Sequence, residues 1–253
     1  MAPVLSFRGL SETAQLAKEY LEVAFHLILC LRAVYPADLF RHAKKYGSPV
    51  WQSRAPELTA FIGRIMECVE EELLKGTVQR VVLVIKEDDI TQTPLERYVF
   101  DFEWLIPSEQ IPKDNSDFTP AAAGLARGDV EDLFRACLRK LFVSTAYLKK
   151  LPNDTEFATV LEMRKGAPPP QSKAAQRGDY PCEWIPAETR QTSERRENEE
   201  SMISPVAGVR LGMLSMDVRV EETGEKFKLS TDDFSSSGEP MPQVDRKGKG
   251  RAL

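Results

Sequence analysis

The sequence predicts an α+β fold, and three observations lead to that prediction. Residues 11–35, 56–75 and 129–149 carry apolar residues at helical spacing. Residues 78–102 hold two consecutive strand-like runs around a polar loop, which is the pattern of an antiparallel hairpin. Residues 203–220 return to a strand-like pattern after a long polar stretch. We therefore expect helices that cover a small sheet.

The hairpin is the expected core of that sheet. Residues 81–85 form an unbroken apolar run rich in β-branched side chains, which is typical of a strand covered on both faces. Residues 95–102 alternate in polarity, which predicts a half-exposed neighbour. We therefore expect 81–85 in the middle of the sheet, and residues 157–163 as a short third strand.

The first helix is predicted over residues 11–35, with Ser11 as its N-cap and Pro36 at its end. Its middle is apolar nearly all round, so we expect it inside the fold. His26, within it, is interpreted as a core or rim histidine. Residues 35–52 are interrupted by prolines and a glycine, and we interpret them as a connector with a small basic patch.

The other two helices are predicted at 56–75 and 129–149, and the buried stripe of the latter includes Leu133 and Phe142. Residues 107–128 lie between the hairpin and this last helix. Their prolines exclude regular structure, so we interpret them as a surface insertion.

The C-terminal third differs in composition from the rest. Residues 164–181 predict a flexible linker, Trp184 is an isolated aromatic residue, and residues 223–253 have too few apolar residues to fold. Strands tethered by polar linkers can dock on a sheet and capture an extended peptide, through main-chain hydrogen bonds added at a sheet edge. This pattern indicates an adaptor.

Composition limits the function classes. The net charge of -5 argues against a dedicated DNA-binding domain. The four cysteines form no C-x-x-C pair and the chain has only two histidines, so a zinc site is not predicted. No run approaches the ~20 apolar residues of a membrane span, and no signal peptide is recognisable. We expect an intracellular, soluble protein.

Sequence motifs of catalysis are absent. No P-loop, dinucleotide fingerprint, nucleophile elbow or H-E-x-x-H occurs. The acidic cluster Glu87, Asp88 and Asp89 lies in the hairpin loop, where turn formation explains it. The alternative is a small enzyme that uses Asp88, Asp89 or Glu103, and a pocket around these carboxylates would support it. We expect no catalytic residue, no metal and no cofactor.

Six motifs follow one another in a fixed order along the chain: LEVAFHLIL from Leu21, VYP from Val34, KKY from Lys44, PEL from Pro56, LERYVF from Leu95 and VEDLFRA from Val130. Together they resemble the HORMA-domain family, and within it the accessory subunits of translesion DNA polymerase zeta. The resemblance spans about 11–222 and is strongest before Phe102. Residues 107–128 and the tail depart from compact members, as in a fungal-type version.

The resemblance implies one HORMA domain over residues 11–222. In this family three helices pack on a small, mainly antiparallel sheet, and a C-terminal safety belt, here about 164–222, wraps a peptide that adds as a strand to the sheet edge. Residues 95–102 are then on the side that receives the C-terminal strands, and residues 157–163 form the opposite edge, where the peptide would add. Residues 107–128 are an insertion and residues 223–253 a disordered tail. The implied function is a non-catalytic adaptor in DNA damage tolerance that traps a proline-containing peptide of the polymerase catalytic subunit.

The resemblance also implies three sets of site residues. Arg219 stands where relatives have an aromatic residue, which departs from the family pattern. The peptide site comprises Phe61, Trp184, Phe157 and Val160, the contact with a Y-family scaffold polymerase comprises Met202, Asp217, Val218 and Arg219, and dimerisation between HORMA domains uses Arg135.

Further partners follow from the same resemblance. They are the polymerase zeta catalytic subunit, the scaffold polymerase, a second HORMA domain and an AAA+ remodelling ATPase, in the nucleus. No membrane and no strong direct contact with nucleic acid is implied. The alternative within the fold is a spindle-checkpoint or meiotic-axis HORMA protein with different peptides, which affinity purification of partners would distinguish.

Overall fold

A long helix, α1 (Leu10–Leu31), lies inside the molecule, as its apolar sequence predicts. The computed structural model describes residues 9–106, 127–152, 154–170, 187, 192 and 201–228. Gly9, rather than Ser11, is the N-cap of α1. The helix ends four residues before the predicted end because Ala33 takes a positive φ of 54°, a conformation that ends a helix.

Two more helices pack around α1. They are α2 (Pro56–Leu74), which Gly76 follows with a φ of 68°, and α3 (Arg127–Thr145). The apolar stripe of α2 is buried, as predicted. In α3 the prediction is wrong at two positions, because Leu133 is 36% exposed and Phe142 52% exposed at the borders of the buried face.

Five strands form one antiparallel sheet in the order β5-β3-β4-β7-β6. The hairpin and the C-terminal strand pair are both confirmed, and so is the edge position of the strand over 157–163. The centre of the sheet is β4 rather than the predicted β3, because β7 pairs with β4 and β6 extends the sheet beyond it. The strands are β3 (Val78–Glu87), β4 (Pro94–Trp104), β5 (Thr155–Met163), β6 (Met202–Arg210) and β7 (Leu214–Glu222).

Strand β4 is buried on both faces, although its alternation predicted a half-exposed strand. Tyr98 and Phe100 face the helices and are fully buried. On the other face, Val99 lies in a small apolar cluster with Val82, Val84 and Val160. Charged side chains with long apolar stems pack over this face. One of them is Arg97, whose Nη1 lies 3.8 Å from Glu221 Oε2 and whose side chain is only 3% exposed.

The predicted connector over 35–52 is instead a two-stranded ribbon. A short 3₁₀ helix (Ala37–Leu39) leads into β1 (Phe40–Lys45), which pairs with β2 (Ser48–Ser53). Tyr46 and Gly47 form the turn with φ values of 50° and 68°. Two left-handed residues in a row match the twist of a tight hairpin, and this turn chemistry outweighs the neighbouring prolines.

The chain remains ordered beyond the predicted boundary at residue 222. Residues 224–228 form a helical turn, and Thr223 and Lys226 are buried. The expectation of a disordered tail over 223–253 is therefore wrong for its first six residues, because ion pairs and hydrogen bonds, rather than apolar burial, hold them. Arg127 and Gly128, assigned to the 107–128 insertion, begin α3.

Several predictions concern residues outside the described ranges. These are the remaining insertion (107–126), most of the linker that includes Trp184, and the tail from 229. Of the helices in the described part, none combines the length and hydropathy that crossing a membrane requires.

Candidate peptide-binding edge and belt surfaces

In the part of the chain that the structure describes, one edge of the sheet is open. Strand β5 pairs with β3 on one side, with Val82 opposite Val160. On its other side no strand of the described residues pairs with it. The opposite end of the sheet is occupied by β7 and β6. An open edge presents main-chain donors and acceptors that an extended peptide can pair with.

Two predicted site residues meet beside this edge. The rings of Phe61 on α2 and Phe157 on β5 have centroids 5.9 Å apart at an interplanar angle of 73°. Tyr35 contacts Phe157 in a similar edge-to-face geometry, with centroids 6.2 Å apart. All three rings are only partly buried. Tyr35 was missed as a candidate, although it belongs to the VYP motif that carries the resemblance.

The fourth side chain at this edge is Thr159, two residues after Phe157 and therefore on the same face of β5. Its hydroxyl is shielded from solvent and has no hydrogen-bond partner in the described part of the chain. Leaving such a group unsatisfied costs about 1–3 kcal/mol.

Val160, also predicted for the peptide site, lies on the opposite face. It is 5% exposed and packs with Val82, Val84 and Val99. Its side chain therefore does not line the surface around Phe157. Trp184, the remaining predicted member of this site, lies outside the described residues.

The outer face of the β6–β7 hairpin carries two of the predicted scaffold-contact residues. Asp217 pairs with Gly208 and Arg219 with Pro205, and they line an open groove of about 450 Å³. Arg219 donates to Glu221 at 2.9 Å and to Asp101 at 3.4 Å.

The approach of the two strands is close at Gly208. A Cβ added there would lie 2.5 Å from an Asp217 carboxylate oxygen. Val218, also assigned to this contact, points into the core and is 3% exposed.

Met202 lies on the other face of the same hairpin. It pairs with Glu222, on the side toward α3. There it lines a second groove of about 670 Å³ between α3 and β6, together with the exposed side chain of Tyr147 and with Arg139. The structure thus separates Met202 from Asp217 and Arg219, because strand pairing places them on opposite faces.

Arg135, the predicted dimerisation residue, contacts the turn between β1 and β2. Its Nη1 donates to the carbonyl of Tyr46 at 3.4 Å, and its Nη2 donates to Asp132. A Cβ on Gly47 would lie 3.0 Å from the guanidinium. The side chain is 31% exposed, so it both packs within the molecule and reaches the surface.

The carboxylates of the enzyme alternative do not form a site. Asp88, Asp89 and Glu103 are exposed. Asp89 accepts hydrogen bonds from the main chain of Thr91 and Gln92, each at 2.9 Å, which stabilises the loop turn. Among the described residues no group of three or more His, Cys, Asp and Glu could hold a metal ion.

Comparison with known proteins agrees with this architecture. The HORMA domain model matches residues 13–192. The MAD2B spindle assembly checkpoint protein of Rattus norvegicus is 32% identical over 213 residues, which cover 84% of this chain and 92% of the rat protein. The DNA polymerase zeta processivity subunit of Schizosaccharomyces pombe is 31% identical over 210 residues, covering 81% and 90% respectively.

Solved structures show the same fold at low identity. A chain of the mitotic checkpoint complex matches with a TM-score of 0.63 and 19% identity, over 83% of this chain and 97% of the other. Caenorhabditis elegans HTP-2 bound to a HIM-3 closure motif matches with a TM-score of 0.61 and 12% identity, over 85% and 92%. With three helices on a mainly antiparallel sheet and these relatives, the chain belongs to the HORMA-domain family and is homologous to MAD2B and to the polymerase zeta processivity subunit.

Proposed function

We propose that this chain is a non-catalytic adaptor of translesion DNA synthesis, acting in the nucleus. It traps a proline-containing peptide of the polymerase zeta catalytic subunit under the belt over residues 164–222 and bridges that subunit to a Y-family scaffold polymerase. The observation that carries the proposal is the open edge of β5 with Phe61 and Phe157 beside it, while the C-terminal strands occupy the other end of the sheet.

The peptide would add to β5 as a sixth strand. Phe61, Phe157 and Trp184 are proposed to contact its prolines, since aromatic faces pack well on the flat, apolar proline ring. Val160 acts from the opposite face, where it anchors β5 in the valine cluster. The proposal also includes a dimer of two HORMA domains with Arg135 of α3 in the interface, and an AAA+ ATPase as the remodelling partner.

Phe61→Ala and Trp184→Ala are each expected to weaken binding of such a peptide roughly 30-fold, which corresponds to the loss of about 2 kcal/mol for a desolvated aromatic anchor. Fluorescence anisotropy with a labelled peptide measures this. Phe142→Ala is the matched control, because Phe142 is a half-exposed phenylalanine on α3, outside the edge. Unchanged affinity in both variants would remove these residues from the site, and no binding by the wild type would refute the proposal.

A second arm of this experiment tests strand addition itself. Methylating successive main-chain nitrogens of the peptide removes one donor at a time. In a strand only alternate residues point their N–H toward β5, so affinity is expected to fall at every second position. Prolines have no N–H and are left unmodified. A uniform loss, or a loss only at the residues next to the prolines, would indicate binding through side chains alone.

The scaffold-polymerase contact is proposed for the groove on the outer face of the belt hairpin. Arg219→Ala is expected to weaken binding of the scaffold polymerase about 10-fold, because it removes a charged side chain from the rim of that groove. Isothermal titration calorimetry measures this affinity. Met202→Ala is the discriminating control, since Met202 lies on the other face. A loss with Met202→Ala alone would move the contact to the groove beside α3.

A further inference from the structure

Four charged side chains meet in the interior at the point where the belt strand β7 ends. They come from four segments: the C-terminal end of α1, the start of β4, the end of β7, and the helical turn over 224–228. The side chains are 8%, 0%, 4% and 1% exposed in that order, and they belong to Arg32, Glu96, Glu222 and Lys226.

Glu96 is the centre of this cluster. Arg32 donates to it from Nε at 2.9 Å and from Nη2 at 2.5 Å, and the Tyr98 hydroxyl donates at 3.0 Å. Burial alone lowers the pKa of the Arg32 guanidinium, but the adjacent Glu96 carboxylate raises it above its ordinary value. The ammonium group of Lys226 donates to Glu96 and, at 2.5 Å, to Glu222.

The main chain ties the same segments together. The amide of Lys149, before β5, donates to Glu222 at 3.1 Å, while its carbonyl accepts from Arg32 at 2.6 Å. Thr223 donates from its amide to Leu95 at 3.0 Å and from its hydroxyl to Pro94 at 2.6 Å. The residues after β7 are therefore fixed to the start of β4.

The cluster divides into two neutral pairs. Arg32 and Glu96 belong to the body of the domain, whereas Glu222 is the last residue of the belt and Lys226 lies four residues later, in the helical turn that follows it. If β7 leaves β4, each pair moves as a unit with zero net charge. Breaking a buried ion pair is costly because it leaves one charge without a partner in the interior. Separation of these two pairs leaves no such charge.

We infer that Lys226 is the latch that fastens the belt to the body of the domain. It is the cation that contacts a carboxylate of each half, Glu222 on the belt and Glu96 on β4. The latch stabilises the arrangement in which β7 pairs with β4, and it rests on the proposed function only in assuming that this belt encloses a peptide.

Hydrogen exchange of the full chain tests the latch without any peptide. In Lys226→Met, amides of β7 are expected to exchange roughly 100- to 1,000-fold faster than in the wild type, because two buried carboxylates then share one cation. Amides of α1 and β3 keep their wild-type rates. The matched control is Lys228→Met, two residues further on, whose ion pair with Glu225 is exposed; its β7 rates stay at the wild-type values.

A charge-balanced variant covers the case in which Lys226→Met does not fold. Lys226→Met combined with Glu222→Gln leaves only the neutral Arg32 and Glu96 pair, so it is expected to fold but still to exchange quickly in β7. Wild-type protection of β7 in either variant would overturn the latch, as would equal acceleration in α1 and β3.

The retention of a bound peptide is a separate readout. The dissociation rate of the prebound proline-containing peptide is expected to rise at least 10-fold in the double variant, if the belt encloses it. Fast exchange in β7 with no peptide binding by the wild type would uphold the latch and refute the proposed function. Fast exchange with unchanged peptide dissociation would overturn the link between latch and peptide.

Discussion

Glu96→Gln is expected to lower the free energy of unfolding by roughly 3–5 kcal/mol, the cost of removing one partner from a buried ion pair. The glutamine fills the same space, so the loss reports charge rather than packing. Arg32 and Lys226 then remain buried with Glu222 as their one remaining anion in the cluster. Chemical denaturation of both proteins, with free energies extrapolated to water, measures the difference.

The effect differs in kind from that of Lys226→Met. Glu96 contacts Arg32 within the body of the domain, so its loss destabilises every arrangement of the belt and should accelerate exchange in α1 and β3 as well as in β7. Glu131→Gln is the control, since the side chains of Glu131 and its partner Arg127 are 42% and 58% exposed. Its change should stay within about 0.5 kcal/mol. Equal losses in the two variants would contradict the importance of burial.

Local apolar patterns were sufficient to predict the helices and the hairpin. In α1 and in residues 81–85 the side chains that will be buried are adjacent or regularly spaced, so burial is visible before the fold is known. The edge position of 157–163 and the docking of the C-terminal strands beside residues 95–102 came instead from the family resemblance, because no local apolar pattern specifies which strands are neighbours.

Polar residues in the interior were not predictable in the same way. Glu96 lies on the same face of β4 as Tyr98 and Phe100, the face toward the helices. This shared face was the available signal that Glu96 is buried. Its partner Lys226 lies 130 residues away in a segment whose composition predicts disorder. No local pattern connects two such residues, because each is buried as the ion-pair partner of the other and not for the apolar surface of its own segment.

The site was predicted in part for a related reason. Phe61 and Phe157 meet because two correctly predicted elements are adjacent. The separation of Met202 from Asp217 and Arg219 depends on strand register, which includes a shift between Pro205 and Ala207. A shift of one residue exchanges the two faces of a strand, so the faces of β6 cannot be assigned from its sequence alone.

The stability of the domain is expected to fall between pH 6.5 and about 4 because His26 is buried without charge. Desolvation lowers the pKa of His26 from 6.5 to about 4. The side chain is 2% exposed, Nδ1 accepts from the amide of Ser53 at 3.5 Å, and Nε2 has no partner among the described residues. Within the described ranges, desolvation is the cause of this shift and no ion pair of the ring offsets it.

The sign follows from proton binding. Between these two pKa values the unfolded chain binds a proton at His26 that the folded chain does not. The contribution of neutral His26 to the free energy of unfolding is therefore fully present above pH 6.5 and decreases as the pH falls toward 4. At one pKa unit per 1.36 kcal/mol, the loss attributable to His26 is about 2.5 kcal/mol at pH 4.5 relative to pH 7.5.

Carboxylates titrate in the same window, so the wild type has to be compared with His26→Gln, which stays uncharged at both pH values. The difference in free energy of unfolding between the two proteins is expected to shift by about 2.5 kcal/mol in favour of the variant on going from pH 7.5 to 4.5.

His42→Gln provides the control, because His42 is the other histidine of the chain and lies exposed on the ribbon. It should retain the wild-type pH dependence. The contrary result is a difference in free energy of unfolding between the wild type and His26→Gln that is the same at both pH values. It would show that the buried imidazole accepts a proton without penalty, and hence that the surroundings of His26 are less apolar than its burial indicates.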